Sequence, residues 1–476
     1  MLNLTIPESV NQNEIPIMSN TASTIIIPVE TQVREMDAKL LLACAAAERG
    51  FPVILGSRAF VHYKVSSIPR GVYLAKSMRA LSIRMFDILR KLGHEIVAWD
   101  EEGLLRWPDP EYYRQRLSPV TMGQISHLMA WGPDNERVFR EYGGYNGAPI
   151  HITGNPRIDL LREELRDFYK GDVQKIRDRF GDFVMINTNF GLVNHFYSDL
   201  GTLKKAVDKK KGIVHAYDVG KGYHKLAIFK CFREMLPFLC KALKDHTIVL
   251  RPHPSENQRP YLEVADHHNN LKVTGQGGIS PWLMAAKGLI ANGCTTMIEA
   301  AVLGTPTIAF QPVTSAEFDD DLPNSLAHRV YDNEELCSAA KAVLEEKLGA
   351  VDDAVRREIL DRHIAGLDGQ LAAERMVDVL ESGQYNKRQP PAAPIWEFGS
   401  ALIHNTLRTA VKQINMRRPG HRNNLTFHRH RFPDISAMEI KERIARLGRL
   451  LNRFENIHVE SYSKYLFRIS HKEAIK

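Results

Sequence analysis

Arg251-Pro252-His253-Pro254 follows directly on the apolar run Thr247 to Leu250. Proline fixes its own φ and restricts the residue before it, so a His between two prolines keeps a stiff, extended backbone at a strand end. That aims the imidazole into a cleft. There it donates to a phosphate oxygen and, if protonated, stabilises charge developing on a leaving phosphate. Arg251 and Pro254 belong to the same candidate phosphate site. The competing reading is a strand terminator whose His packs locally.

A second apolar strand breaks into Gly293-Cys294-Thr295-Thr296, which opens the helix TTMIEAAVLG. Helix N-termini bind anions through free amides and the helix dipole, and two hydroxyls add donors. An ordinary Thr N-cap accounts for one of these threonines. Glu299, on the first turns of the same helix, is placed to accept from a ribose diol or else to be a solvated helix glutamate. Asp100-Glu101-Glu102-Gly103 stands directly after the apolar HEIVAW. Crowded carboxylates raise one another's pKa, which suits a general base, although a helix N-terminal acid cluster would look the same. Strand alternation would send Asp100 and Glu102 to one side and Glu101 to the other. Gly103 permits a sharp turn that brings Glu102 nearest the cleft. Asn187 to Gly191, reading NTNFG, is a turn able to offer Asn187 and Asn189 to the same ligand.

The elements that must position these groups are legible as periodicity. STIIIPVE, FPVILGS, GVYLAKS, HEIVAWDEEG, ISHLMAWG and PIHITGN read as strands, alternating with helices such as VREMDAKLLLACAAAERG. The pattern restarts at DFVMINTNFG and continues through TIVLRPHP, NLKVTGQ, KGLIANG and PTIAFQP. Short apolar strands alternating with helices imply parallel sheets covered on both faces. The expected fold is α/β, with two facing Rossmann-like domains and a C-terminal helical basic tail. The boundaries read as a leader over 1–22, an N-terminal domain over 23–160, a C-terminal domain over 161–384, a Pro-rich linker over 385–398 and the tail over 399–476.

Composition narrows the class. With 476 residues and 44% hydrophobic content the chain is ample for two cores. No apolar run approaches a membrane span, and no secretory signal is evident. The five scattered cysteines include no CxxC pair and fit a reducing cytoplasm. From residue 401 onward, 16 Lys or Arg stand against 6 Asp or Glu, a balance of +10 within a total of +7. The body is therefore near neutral, which argues against a nucleic-acid enzyme. Ile440, Ile444, Leu447, Leu451 and Phe454 follow helical spacing, with Arg443, Arg446, Arg449 and Arg453 falling largely elsewhere. The stripe suits packing on the body, and the basic face suits an anionic membrane surface.

Taken in order, Glu101-Glu102-Gly103, His253-Pro254 and Thr295-Thr296 resemble the three short motifs of bacterial sialyltransferases and related capsule and lipopolysaccharide transferases. EAAVLGTPTI resembles the nucleotide-binding helix of two-domain glycosyltransferases, and WGPDNERVF with ITGNPRID resembles teichoic-acid polymerases. The whole chain resembles a bacterial family of surface carbohydrate biosynthesis proteins. Three acids stand where that pattern has two, so the base is Glu102 or Glu101.

The resemblance implies a GT-B type glycosyltransferase that moves a sugar, CMP-linked by the sialyltransferase parallel, onto a growing surface polysaccharide. Its partners would be the nucleotide-sugar donor, a glycan or lipid-linked acceptor and an anionic membrane face, with no nucleic acid. Arg251, His253, Pro254, Gly293, Thr295, Thr296, Glu299, Asn187 and Asn189 would hold the donor, which is a substrate rather than a cofactor. No metal is expected, since no Asp-x-Asp motif sits at a strand end, and FDDDLPNS reads as a loop near the cleft. A polyol-phosphate transferase, a sugar-nucleotide epimerase and a non-catalytic assembly scaffold are the alternatives on the same fold.

Overall fold

The computed structural model describes residues 22–105, 108–196, 207–208, 212–418, 421 and 424–472. The leader expected over 1–22 lies outside the described residues apart from Ala22.

The first sheet contains β1 (Thr24–Val29), β2 (Val53–Ser57), β3 (Gly71–Ala75), β4 (Glu95–Ala98), β5 (His127–Ala130) and β6 (Ile150–Ile152), all parallel in the order β2-β1-β3-β4-β5-β6. β1 is buried at all six positions. That burial on both faces is why its sequence is a continuous apolar run rather than an alternation. The helix Gln32–Glu48 is buried over most of its surface. Its apolar residues run all round because it is covered on both sides.

The second sheet contains β7 (Phe183–Asn187), β10 (Thr247–Arg251), β11 (Leu271–Val273), β12 (Gly288–Ala291), β13 (Thr307–Phe310) and β14 (His328–Val330). A small hairpin, β8 (Val207–Asp208) and β9 (Ile213–Val214), lies apart. The order is β11-β10-β7-β12-β13-β14, parallel throughout. The order reverses between β7 and β12, and ligands in open α/β sheets bind beyond the strand carboxyl ends at such a point. The two parallel-sheet domains face one another across a cleft, as expected from the sequence.

Two features of the C-terminal third depart from the sequence reading. Residues 161–384 were assigned to one domain, yet the helix Ala372–Ser382 packs in the N-terminal core, with Leu371, Met376, Val377 and Leu380 against the helix Gln32–Glu48. Asp159 fixes this return by accepting from the backbone N–H of Ala372 at 2.8 Å and Ala373 at 2.9 Å. Tyr385, inside the expected linker, is buried and hydrogen-bonded to Glu95.

The tail is not purely helical. After the helices Ile395–Met416, Leu425–Arg431 and Ala437–Leu451 come β15 (Ile457–Ser463) and β16 (Leu466–His471), which join the first sheet antiparallel at the β2 edge. Gly56 of β2 permits the approach, since a Cβ there would meet the Tyr465 carbonyl oxygen at 2.1 Å. The hairpin covers the β2 edge and leaves β15 as the outer strand. Ile440, Ile444, Leu447 and Phe454 are buried in the N-terminal core. Three of the four arginines among them turn onto the body, and only Arg449 keeps to the exposed face. Arg443 pairs with Asp37 at 2.6 Å, Arg446 donates to the Phe168 carbonyl at 3.0 Å, and Arg453 pairs with Glu48 at 2.5 Å. Sequence spacing identified this amphipathic helix but not the carboxylates its arginines would find.

Candidate functional site

The ends of β7 and β12 meet where the second sheet changes direction. Asn187 donates from Nδ2 to Thr296 Oγ1 at 3.1 Å, and Asn189 donates to the Gly293 carbonyl at 2.7 Å. Gly293 has φ +53°, and a Cβ there would come within 2.8 Å of Asp320. Cys294, not a threonine, is the N-cap of the helix Thr295–Leu303, and no side chain caps that helix. Its first N–H groups remain available to an anion. Thr296 is buried and held by Asn187, so it supports the loop; Thr295 points its hydroxyl outward.

The His-Pro turn is held from below by Glu256. That buried carboxylate accepts from Thr188 Oγ1 at 2.9 Å, Tyr261 Oη at 2.5 Å, and the N–H groups of Phe190 at 2.9 Å and His253 at 3.1 Å. His253 itself stands at the cleft surface. The Ser255 N–H donates to His253 Nδ1 at 3.2 Å. Nδ1 is therefore an acceptor, and the proton resides on Nε2. The ring is open at its edge, but the cleft walls, and then the Arg34 guanidinium, hold the imidazole below its ordinary value. His253 is thus a neutral Nε2–H donor at physiological pH, not the protonated form. Arg251 does not join it. Its guanidinium donates to the Gln276 and Gly277 carbonyls at 2.8 and 3.1 Å and lies over the Trp282 ring at 4.4 Å. Both ends of the fork hold the loop after β11, so Arg251 is removed from the set of ligand-facing residues. Pro254 is exposed beside His253.

The acids part company beyond β4, which ends at Ala98. The extended geometry does not persist, so the expected alternation fails. Asp100 is 1% exposed and held by Arg116 and by Tyr112 Oη at 2.9 Å. Glu101 is equally enclosed, 3.1 Å from Lys39 Nζ and accepting from Trp99 Nε1 at 3.2 Å. Only the Glu102 side chain, 41% exposed, opens to the cleft. Each acid has found its own cation rather than crowding its neighbours.

Arg34, in the first turn of the helix Gln32–Glu48, joins the two sides. Its Nη2 is 3.4 Å from Glu102 Oε2 and 3.3 Å from Thr295 Oγ1. Arg157 likewise crosses from the turn after β6 to pair with Glu299, whose Oε2 is buried without a partner. Glu299 is thus no solvated helix glutamate. An interdomain cavity of about 520 Å³ includes Arg34, Arg157, Glu299, Gly277, Ser280 and Trp282 in its lining. Behind Gly293, Lys221 pairs with Asp320 at 2.9 Å, and Lys225 lies 3.6 Å from the same carboxylate. Burial, with Lys225 adding to it, lowers the Lys221 ammonium against the pull of Asp320.

Sequence reasoning missed Arg34, Arg157, Lys221 and Lys225. The i, i+4 spacing of the two lysines was the only local signal, and nothing local marked the arginines. Among the described residues no group of three or more His, Cys, Asp or Glu is arranged to hold a metal ion.

No family model matches the chain, and no curated protein matches it significantly. Among solved structures it is similar to the Methanocaldococcus jannaschii UDP-GlcNAc 2-epimerase in complex with UDP-GlcNAc and UDP, at 15% identity over 76% of this chain and 99% of that one, with a TM-score of 0.47. It is similar to S. aureus MnaA in its UDP co-structure, at 12% identity over 78% of this chain and 100% of that one, TM-score 0.47. It is also similar to the wall teichoic acid polymerase TagF, at 11% identity over 76% of this chain and 88% of that one, TM-score 0.43.

Proposed function

We propose that this chain is a glycosyltransferase using a nucleotide-sugar donor. The observation that carries the reading is Arg34, which touches both Glu102 and Thr295 across the cleft. It thereby sets one open carboxylate of the N-terminal domain opposite the free helix amides and the Thr295 hydroxyl of the other.

In the proposed reaction the donor diphosphate or phosphate lies at the N-terminus of the helix Thr295–Leu303. Thr295, the Nε2–H of His253 and Arg34 contact its oxygens, and Glu299 Oε2 takes a ribose hydroxyl. Arg34 exchanges its contact with Glu102 for the phosphate, which frees the carboxylate. Glu102 removes the acceptor hydroxyl proton as the oxygen bonds to the anomeric carbon. The bond from that carbon to the phosphate oxygen breaks, and its electron pair leaves on the phosphate. Donors aimed at that developing charge act where transition-state stabilisation is largest. The motif resemblance supports a CMP-linked sugar and a surface-polysaccharide acceptor handled on the cytoplasmic side. Among the described residues no helix is long and apolar enough to cross a membrane.

Thermal shift with CMP, CDP, UDP and GDP identifies the nucleotide, and incubation of its sugar conjugate with and without glycan acceptors tests transfer. Acceptor-dependent release of nucleotide supports the reading. Conversion of the sugar without any acceptor would assign the cleft to an epimerase. Absence of nucleotide binding would leave a scaffold.

A further inference from the structure

The helix Ile395–Met416 lies against the helices Arg58–Lys64 and Ile83–Lys91, yet only Ala401 and Asn405 of its length are fully buried. Its opposite face is apolar and open. Trp396 is 73% exposed, Ile403 63%, Leu407 60% and Ile414 57%. These four recur at spacings of seven, four and seven residues, which places them on one stripe of a helix about 33 Å long. Soluble surfaces rarely leave so long a stripe uncovered.

Beneath the same helix lies a cavity of about 140 Å³, lined by Arg58, His62, Arg408, Lys412, His428 and Arg431, with Glu30 as the carboxylate among them. Glu30 is already engaged, with Arg58 at 3.0 Å and with Arg431. Arg408 keeps a buried Nη1 without a partner, as does His428 at Nδ1. Glu30 is the one carboxylate in the lining, and the buried Arg408 Nη1 is open to an anion. Burial, and then Arg408, Arg58 and Lys412, hold the His62 imidazole well below its ordinary value.

We propose that the helix Ile395–Met416 and the basic cavity beneath it form a docking site for an anionic phospholipid surface. The apolar stripe lies along the boundary between headgroups and acyl chains, and a lipid phosphate enters the cavity to meet Arg408 and Lys412. Interfacial helices combine these two features, an apolar face and flanking cations. Charge decides the occupant. Residues 395–418 carry Arg408, Lys412, Arg417 and Arg418 against the single acid Glu397. Arg417 and Arg418, exposed just past the helix end, would meet their like in a parallel second copy, whereas anionic headgroups complement them. The inference stands apart from the reading of the interdomain cleft.

Full-length protein is floated with vesicles of neutral phosphatidylcholine, and with vesicles in which about a third of the lipid is phosphatidylglycerol. Partitioning at least ~10-fold stronger into the anionic vesicles is expected. Ile403→Glu with Leu407→Glu lowers it by at least ~10-fold at unchanged melting temperature, because both side chains are already in water. Arg408→Gln with Lys412→Gln lowers binding to anionic vesicles while leaving the weak binding to neutral ones. Equal partitioning into both vesicle types, or none into either, would overturn the proposal. So would a lipid-free dimer in sedimentation that the Ile403→Glu, Leu407→Glu variant dissociates, since the stripe would then belong to a second copy.

Discussion

Arg34 and Glu102 form a contact by which an acid of the Asp100–Glu102 cluster reaches the opposite domain, because Arg34 Nη2 also lies 3.3 Å from Thr295 Oγ1. Asp100 and Glu101 are held by Arg116 and Lys39 within the N-terminal domain. One guanidinium therefore links the proposed base to the proposed phosphate site, and the two ends can be tested separately.

Glu102→Gln should lower transfer by more than about 100-fold, the scale of a lost general base. Nucleotide-sugar affinity should stay within about 2-fold, because Glu102 itself is assigned no contact with the donor. Arg34→Ala should weaken that affinity by about 10-fold, the scale of one charge-assisted hydrogen bond. Calorimetry and a transfer assay on both variants separate the effects. Full activity in Glu102→Gln would remove this carboxylate from the chemistry.

His253→Ala should lower turnover by about 100- to 1000-fold, as for a removed oxyanion donor, with little change in melting temperature. Its imidazole is held below the ordinary value, so it gains little charge as the pH falls to 5.5. Affinity for an intact nucleotide-sugar, whose phosphates do not titrate in this range, should therefore stay flat from pH 8 to 5.5. A His near its ordinary value would gain charge and tighten binding as the pH fell through 6.5. Titrations at three pH values distinguish the two.

Asp100→Asn should act on stability rather than on donor binding. It leaves the buried Arg116 guanidinium without its carboxylate, and breaking such a pair costs about 3–5 kcal/mol. Denaturant unfolding measures the loss. A variant of native stability and abolished turnover would return Asp100 to the chemistry.

Glu30 gives a pH signature. Burial raises its carboxyl, but Arg58, Lys76 and Arg431 more than offset this and hold it at about 2. A depressed folded-state value means stability that is present above the unfolded value near 4.5 and lost as the pH falls toward 2. The wild type should lose on the order of 2–3 kcal/mol across that window that Glu30→Gln does not. Chemical denaturation at pH 5, 4 and 3 compares the slopes.

Deleting residues 390–476 should unfold the N-terminal domain rather than yield a soluble core. It strips β16 from the β2 edge and the Ile440–Ile444–Leu447 stripe from the helix Gln32–Glu48. A monomeric fragment with a cooperative thermal transition would contradict this.

The sequence by itself determined most of the strands of both parallel sheets. Buried parallel strands are continuous apolar runs, and those at Ile25, Ile54, Val97, Ile186 and Ile290 end at breakers that mark the ligand-facing edge. It also determined that His253 and Thr295 stand at strand ends, because Pro254 and the helix start at Thr295 are local signals.

Only the tertiary structure decided which side chains are free. Arg251 and Glu101 look as available as His253 and Glu102 in the sequence, yet the first is consumed by the Gln276 and Gly277 carbonyls and the second by Lys39. Arg34 and Thr295 are 261 residues apart, and Arg157 and Glu299 are 142 apart. The strand β16 pairs with a β2 some 400 residues earlier in the chain. Periodicity reports a side chain's face within one element, over a few residues. Which charge meets which depends on how whole elements are brought together, and no local pattern carries that distance.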